Sequence, residues 1–293
     1  INSLVRMTPF LFMAVGIAFS NRVGVLNIGA EGQYIMGAIM ATWVTLIFQD
    51  ITHPALSILL SLIVAAIVGA LWAMFAGALK VYLGVNEIVT TVIMNWLAFK
   101  ILQWLLRGPL KSPESEMWPM SPPLEAHFPY IIPGTRLHLG FLIALILATA
   151  AYYFLFKTNL GFKFRVTGAS PEVATYAGYD VKKFVLFSMA FSGAMAGLAG
   201  ASEVLGVFHF LYEGIAVGLG YTSIIVALVG KNHPLAIIAS AFMFGVIYNG
   251  VVFLQSATGL TYTFSKAIEG LIYLFFIVSE VLVLYRIRTI KVG

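Results

Sequence analysis

The chain has 293 residues, 60% of them hydrophobic and only 10% charged, with a formal net charge of +5 and a mean hydropathy of +0.96. Soluble domains carry about 25% charged residues, so this composition excludes a water-soluble fold and makes lipid the solvent. The absence of cysteine excludes disulfides and thiolate metal sites. The positive charge sits in short segments beside apolar runs, which is not the footprint of a nucleic acid polymer.

A membrane-crossing helix needs about 20 mostly apolar residues. Nine runs qualify: 3–20, 30–48, 55–79, 87–106, 139–156, 184–207, 213–230, 234–255 and 264–285. The expected fold is an all-α polytopic bundle, with 1–293 as a single transmembrane domain. The second and seventh runs are glycine-rich and are expected to be broken or tilted. Orientation follows the positive-inside bias. With 157–183 cytoplasmic, eleven cations fall inside (Arg22, Lys80, Lys157, Lys163, Arg165, Lys182, Lys183, Lys231, Arg286, Arg288, Lys291) and five outside (Arg6, Arg107, Lys111, Arg136, Lys266). Ile1 then lies outside, and a missing upstream helix would make ten spans.

Taken in chain order, the first polar motif is Asn27-Ile28-Gly29-Ala30-Glu31-Gly32-Gln33, at the start of an apolar run. Ionisable groups in a bilayer face a cavity or a partner, and glycines permit an interrupted helix. Two readings fit: a break lining a path, or a helix cap at the inner interface with Glu31 at the positive helix end. Next comes Gly84-Val85-Asn86-Glu87, then Thr90, Thr91 and Asn95. Asn86 is suited to cap the following helix, and Thr91 and Asn95 share a face. That polar face suits either a polar solute or a neighbouring helix. Lys100 falls within a span. No Lys or Arg is clearly placed at mid-membrane to hold an anion, which favours a neutral solute.

The segment 107–138 holds seven of the eleven prolines and reads as an irregular extracytoplasmic cap rather than a span. The basic segment 157–183 is the longest cytoplasmic loop. In it Ser170 is a good N-cap, Pro171 suits the first helical position, Glu172 favours the positive helix end, and Gly178 is a natural stop. This predicts about two helical turns, lying in the interface or docked in a partner's groove. From Ser192 to Ala201, Gly193, Gly197 and Ala201 recur every four residues, as do Ser192, Ala196 and Gly200. These small ridges predict close helix packing. Glu203 follows, at the outer end of its span, where it lines a vestibule or reaches headgroups. Glu31, Glu87, Glu203, Glu269 and Glu280 all read as lying near span ends, which disfavours a buried ion relay.

No P-loop, zinc-protease or dinucleotide motif occurs, and no catalytic or metal-ligating cluster, so the chain is not expected to be an enzyme. A membrane protein with a structured basic loop and no motor of its own is expected to be one subunit of a powered transporter.

Five stretches then carry a family resemblance: Asn27 to Gln33, Gly84 to Glu87, Leu160 to Gly178, Ser192 to Gly206, and Gly230-Lys231-Asn232-His233-Pro234. In order and over nearly the whole chain, they resemble the permease subunits of ABC importers in the ribose and branched-chain amino acid group. The chain looks most similar to the branch that imports nucleosides with a lipoprotein receptor. The resemblance implies a ten-helix permease like that of the vitamin B12 importer, in a bacterial or archaeal cytoplasmic membrane. It implies ATPase subunits that bind ATP and Mg (no cofactor in this chain), a second permease, homologous or identical, and an extracytoplasmic substrate-binding lipoprotein. Ser170, Pro171, Glu172, Ala174, Thr175, Tyr176, Ala177 and Gly178 match the coupling helix, with Ala174-Thr175 in a loose form of its Ala-Ala-x-x-x-Gly signature. Candidates for the translocation path are Asn27, Glu31, Gln33, Asn86, Glu87, Thr91, Asn95 and Glu203. The expected solute is a nucleoside; the alternatives are a ribose-type sugar or another small neutral solute, or, in a different class, ion-coupled secondary transport.

Overall fold

The computed structural model describes residues 1–115, 118–259 and 261–284. Among them there are eleven α-helices and two isolated bridges, Met120 to Tyr212 and Tyr130 to His138. In order the helices are α1 (Asn2–Asn21), α2 (Ala30–Phe48), α3 (Pro54–Leu83), α4 (Glu87–Arg107), α5 (Leu139–Lys157), α6 (Asn159–Ala169), α7 (Pro171–Tyr176), α8 (Val181–Glu203), α9 (Leu219–Val229), α10 (Pro234–Thr258) and α11 (Tyr262–Leu284). Six of the described helices are long and apolar enough to cross a membrane: α1, α3, α4, α5, α8 with its extension to Phe208, and α10.

Local chemistry sets the helix ends. His53 and Asn86 accept backbone N–H groups from Ala55 and Ile88, capping α3 and α4. Asp180 accepts from Lys183 and caps α8. Gly84, at φ +68°, closes α3, its amide and that of Val85 returning to the carbonyls of Lys80 and Leu79. Only glycine adopts this left-handed stop without strain.

The expected seventh span is not a span. Residues 213–230 form a 3₁₀ turn, Glu213–Ile215, and then α9 of 11 residues, about 16 Å long against a hydrocarbon core of about 30 Å. Hydropathy alone cannot reveal the break, which falls at Gly218 (φ +86°). The basic segment 157–183 also holds more helix than expected. An 11-residue α6 precedes the short α7. Gly161 lets it fold back, since a Cβ there would meet the backbone of Phe154 and Leu155.

The ridges on α8 pack as their spacing predicts. Gly193 abuts Gly69 of α3, Gly197 abuts Gly37 of α2 and Ala65 of α3, and Gly200 abuts Tyr34 of α2. Backbone meets backbone at each crossing, which maximises van der Waals contact where no hydrophobic drive exists. A second cluster holds the cytoplasmic half, where Phe19 meets Phe191 and Phe164 at ring-centroid distances of 4.3 and 5.4 Å.

The proline-rich segment ends α8. Residues 204–208 form a π-turn. The amides of Ser121, Leu124 and Phe128 donate to the carbonyls of Leu211, His209 and Leu205 at 2.8–2.9 Å. A chain with few backbone donors thus satisfies carbonyls that a widened turn leaves free. His138, stacked on Phe128, is buried there, and burial pushes its imidazole down to about 4.

Arg22, Lys231 and the 157–183 segment meet at one end of the bundle. Arg22 donates to the carbonyls of Asn232 and Lys231, and its own carbonyl meets Gly168. This grouping agrees with the charge bias; Arg286, Arg288 and Lys291 lie outside the described residues.

Replacing Gly197 with leucine forces a side chain into the backbones of α2 and α3. We expect a loss of about 1–3 kcal/mol or more, as for overpacked cores. It should appear as a lower thermal midpoint of the purified protein, while Leu at the exposed Gly250, where a Cβ meets nothing, should leave the midpoint unchanged.

Candidate functional site

Between α1 and α2 the chain does not stay at the cytoplasmic rim. Val23, Val25 and Asn27 are buried, and residues 25–28 are non-helical. Asn27 reaches Ser192 at 2.8 Å. Ser192 lies eleven residues into α8, about 17 Å from its start. The segment therefore re-enters the bundle and α2 begins near mid-depth. The reading of Glu31 as a cap at the inner interface is thereby corrected. Non-helical backbone at this depth is tolerated only when protein or cavity water satisfies it.

Here the protein does so with amides. Asn27 Nδ2 donates to Gln33 Oε1 and Ser192 Oγ, both at 2.8 Å, while its Oδ1 accepts from the Gly29 amide and Gln33 Nε2 at 2.9 and 3.0 Å. Asn95 Oδ1 accepts from the Gly32 amide at 2.8 Å, and its Nδ2 donates to the Ile28 carbonyl and Tyr221 hydroxyl at 3.0 and 3.1 Å. Glycines are required for this approach: a Cβ on Gly29 would crowd Gln33 and Thr91, and one on Gly32 would crowd Asn95.

Glu31 joins the two broken elements. Its Oε1 accepts from the Gly218 amide at 2.8 Å and its Oε2 from the Gly220 amide at 2.6 Å. Gly218 and Gly220 lie at the start of α9, and Glu31 lies in the first turn of α2. Two positive helix ends thus converge on one buried carboxylate, and two orphan donors are satisfied. A Cβ on Gly220 would lie on the backbone of Ala30 and Glu31, so the two N-termini are in direct contact.

A cavity of about 260 Å³ opens beside this junction, lined by Glu31 and Asn95 on its polar side and by Trp96, Phe99 and Tyr221. A larger cavity of about 720 Å³, on the side of the 107–138 segment, is lined by Arg6, Arg136 and Asn249. Neither of the helix ends meeting at Glu31 lines it, so we place the candidate site at the smaller one.

Of the path residues expected from the sequence, the structure unites Asn27, Glu31, Gln33 and Asn95, with Thr91 against Gly29. The others stand apart. Asn86 caps α4 and Glu87 pairs with Lys80 at the cytoplasmic end. Glu203 is buried with Arg6 at 3.8 Å, so it neither reaches headgroups nor lines this cavity. The expectation that the acids lie near span ends fails for Glu31; Glu269 lies near the start of α11, buried and bound by Lys266 and Tyr273 at 2.8 Å. The Glu280 side chain lies outside the described residues. Ser192, Trp96, Phe99, Gly218, Gly220 and Tyr221 were not read as site residues. The one signal for any of them was the glycine-rich start of the seventh run.

In the 157–183 segment, Ser170 accepts from Val173 at 3.3 Å and Gly178 adopts φ +77°. Ala174 is buried, while Val173 is 58% and Tyr176 97% exposed. Pro171, Glu172, Thr175 and Ala177 complete a short exposed helix with an apolar knob.

Residues 1–278 match the family model described as the branched-chain amino acid transport system, permease component. The chain belongs to this family. It is 32% identical to the guanosine ABC transporter permease protein NupP of Bacillus subtilis, over 92% of this chain and 78% of that protein. It is 31% identical to the glucose ABC transporter permease protein TsgB13 of Haloferax volcanii, over 97% and 77%. It is 29% identical to the nucleoside ABC transporter permease protein NupB of Lactococcus lactis, over 85% and 71%. No solved structure matches the chain significantly. The chain is an ABC importer permease, a multi-pass cytoplasmic membrane protein and a transport component rather than an enzyme.

The junction makes distinct demands on its residues. Glu31→Gln keeps one acceptor but turns an NH₂ toward an amide donor. We expect it to lower both transport and thermal stability, by about 1–3 kcal/mol for the buried donor left unpaired. Phe99→Ala should lower transport with little change in thermal midpoint, because Phe99 is only partly buried. Paired uptake and unfolding measurements check both.

Proposed function

We propose that this chain forms half of the translocation path of an ATP-driven importer whose solute is a nucleoside. The observation that carries the proposal is the mid-depth cavity between two broken helices, where flat aromatic rings stand beside amides and a hydroxyl. A nucleoside needs both: a base stacks on aromatic faces, while its polar edges hydrogen-bond. The guanosine and nucleoside permeases among the relatives support the same solute. The glucose permease among them keeps a sugar as the second reading.

In this proposal α7 is the coupling helix. Val173 and Tyr176 enter a groove on an ATPase subunit, which binds ATP and Mg, and Ala174 anchors the helix to its own bundle. A path for the motion follows. α7 is joined through Ser170 to Gly168, which abuts Arg22 and Val23. Those residues begin the re-entrant segment that ends at Asn27 and Glu31. A shift at α7 would therefore pull on the floor of the site. Alternating access is then a change between two packings of α2 and α9, biased by the ATPase.

The remaining partners in the proposal are a second permease, homologous or identical, and an extracytoplasmic lipoprotein that meets the 107–138 segment. The helical bundle, with the short α9 in place of a full seventh span, would resemble the permease of the vitamin B12 importer. Residues 1–293 would form one permease domain within surrounding lipid.

The test is uptake of labelled guanosine, adenosine, ribose, glucose and leucine in cells with and without the gene and its ATPase partner. Nucleoside uptake alone should be lost in both deletions. Loss of ribose or glucose uptake instead would contradict the nucleoside reading. Tyr176→Asp should lower uptake about tenfold or more, as for a lost aromatic anchor, without altering the bundle's thermal midpoint.

A further inference from the structure

Phe156 lies at the cytoplasmic end of α5, and two guanidiniums converge on it. Cζ of Arg22 is 5.4 Å and Cζ of Arg165 5.1 Å from its ring centroid. They arrive from different elements: Arg22 caps the end of α1, and Arg165 stands in α6. Tyr152, one turn back on α5, stacks on Phe156 at 5.5 Å. His233, which precedes α10, packs on Tyr152 and Phe156 at 5.4 and 4.8 Å. Aromatic rings at the end of a crossing helix, with long cationic side chains beside them, mark the headgroup level of a bilayer.

These cations lack an anion. Among the described residues, no carboxylate pairs with Arg22, Arg165 or the exposed Lys231. Arg22 gives two N–H groups to the carbonyls of Asn232 and Lys231, which leaves others of its five without an acceptor. Arg165 Nε is shut away from water and has no hydrogen-bond partner. A ring stabilises the charge of a guanidinium but offers no lone pair to its N–H groups. Burial, and then the neighbouring Arg165 charge, lower the pKa of Arg22 from its ordinary value, so the two cations oppose each other. A buried charged donor without an acceptor is costly. The arrangement calls for a negatively charged acceptor from outside the chain.

We propose that Arg22 and Arg165, beside Phe156, form a binding site for the phosphate of an anionic phospholipid in the cytoplasmic leaflet. Phosphate suits a pair of guanidiniums, whose planar forks present N–H groups to its oxygens. The membrane supplies that group at this height: the cytoplasmic leaflet is the anionic one, and basic pockets between spans on that side take lipid headgroups. The flanking surface is apolar and open, with Tyr153 of α5 and Leu160 and Phe162 of α6 exposed, which suits acyl chains. A bound headgroup ties the end of α1 to α6, at the residue where the re-entrant segment begins. The inference does not depend on which solute is carried.

The experiment equilibrates the complete importer, ATPase subunits included, with equal amounts of phosphatidylglycerol and phosphatidylcholine in detergent, and counts the retained lipids by native mass spectrometry. The wild type should retain phosphatidylglycerol in preference. Arg165→Gln should lower that retention about tenfold, the effect of one hydrogen bond to a charged group. Its phosphatidylcholine retention, unchanged, is the measure of an intact complex. Arg165→Lys, which keeps the charge, should keep much of the preference. Arg165 is the residue to replace because Arg22 also holds the turn at Lys231 and Asn232. Lys183→Gln, on the same side of the membrane but paired with Asp180, should leave retention as in the wild type. Equal retention of the two lipids by the wild type, or unchanged retention in Arg165→Gln, would overturn the inference. An equal fall in Lys183→Gln would overturn it in favour of general surface charge. Displacement of phosphatidylglycerol by inorganic phosphate would overturn it in favour of a soluble phosphate. Retention only after the ATPase subunits are removed would overturn it in favour of an acidic side chain of that partner.

Discussion

The carboxylate of Glu31, held between the amides that begin α9 and the first turn of its own α2, is the interaction on which the rest of the structure depends. Two helix N-termini brought into contact in a low-dielectric interior repel each other and leave donors unpaired. One anion placed between them reverses both costs. It makes possible two helices that begin near mid-depth, and so a cavity lined there by backbone and side-chain polar groups.

The surrounding packing exists to hold that junction in place. Gly37, Gly69, Gly193, Gly197 and Gly200 let α2, α3 and α8 approach backbone to backbone, which fixes the height of α2 against α8. Asn27, Gln33 and Ser192 then close the re-entrant segment with a buried amide network. The same segment starts at Arg22 and Val23, in contact with Gly168. The cytoplasmic helix pair and the site are therefore neighbours through seven residues of chain, not through the length of a helix. On the opposite side, the proline-rich cap is tied to residues 205–211, a short distance in sequence from Gly218. Both faces of the protein lead to the one junction.

Local chemistry was the legible part of the sequence. The Asn86 and Ser170 caps, the stop at Gly178, the small-residue ridges of α8 and the position of most apolar runs follow from side-chain size and hydrogen-bonding capacity within a few residues. Depth was not legible. A hydropathy window reads 213–230 as one run because it averages across Gly218, where the chain turns. The sequence leaves Glu31 open between an interfacial cap and a path-lining break because nothing local says that residues 23–29 climb back into the bundle. Asn95 with Tyr221, and Glu31 with Gly218, are pairs separated by 126 and 187 residues; only tertiary packing brings them together. The family resemblance supplied the class of transporter, but the placement of the cavity comes from geometry.

The central claim is that the junction lines a water-filled path at mid-depth. The chain has no cysteine, so a single introduced thiol reports without background. Ala216, on the cavity wall, is replaced by cysteine and exposed to a water-soluble maleimide in the assembled transporter. The thiol at 216 should react, and saturating nucleoside should slow that reaction, while a thiol at Ile146, exposed on the outer surface of α5, should stay unreactive. A thiol at 216 that is inert, or that reacts equally with and without nucleoside, would contradict the account.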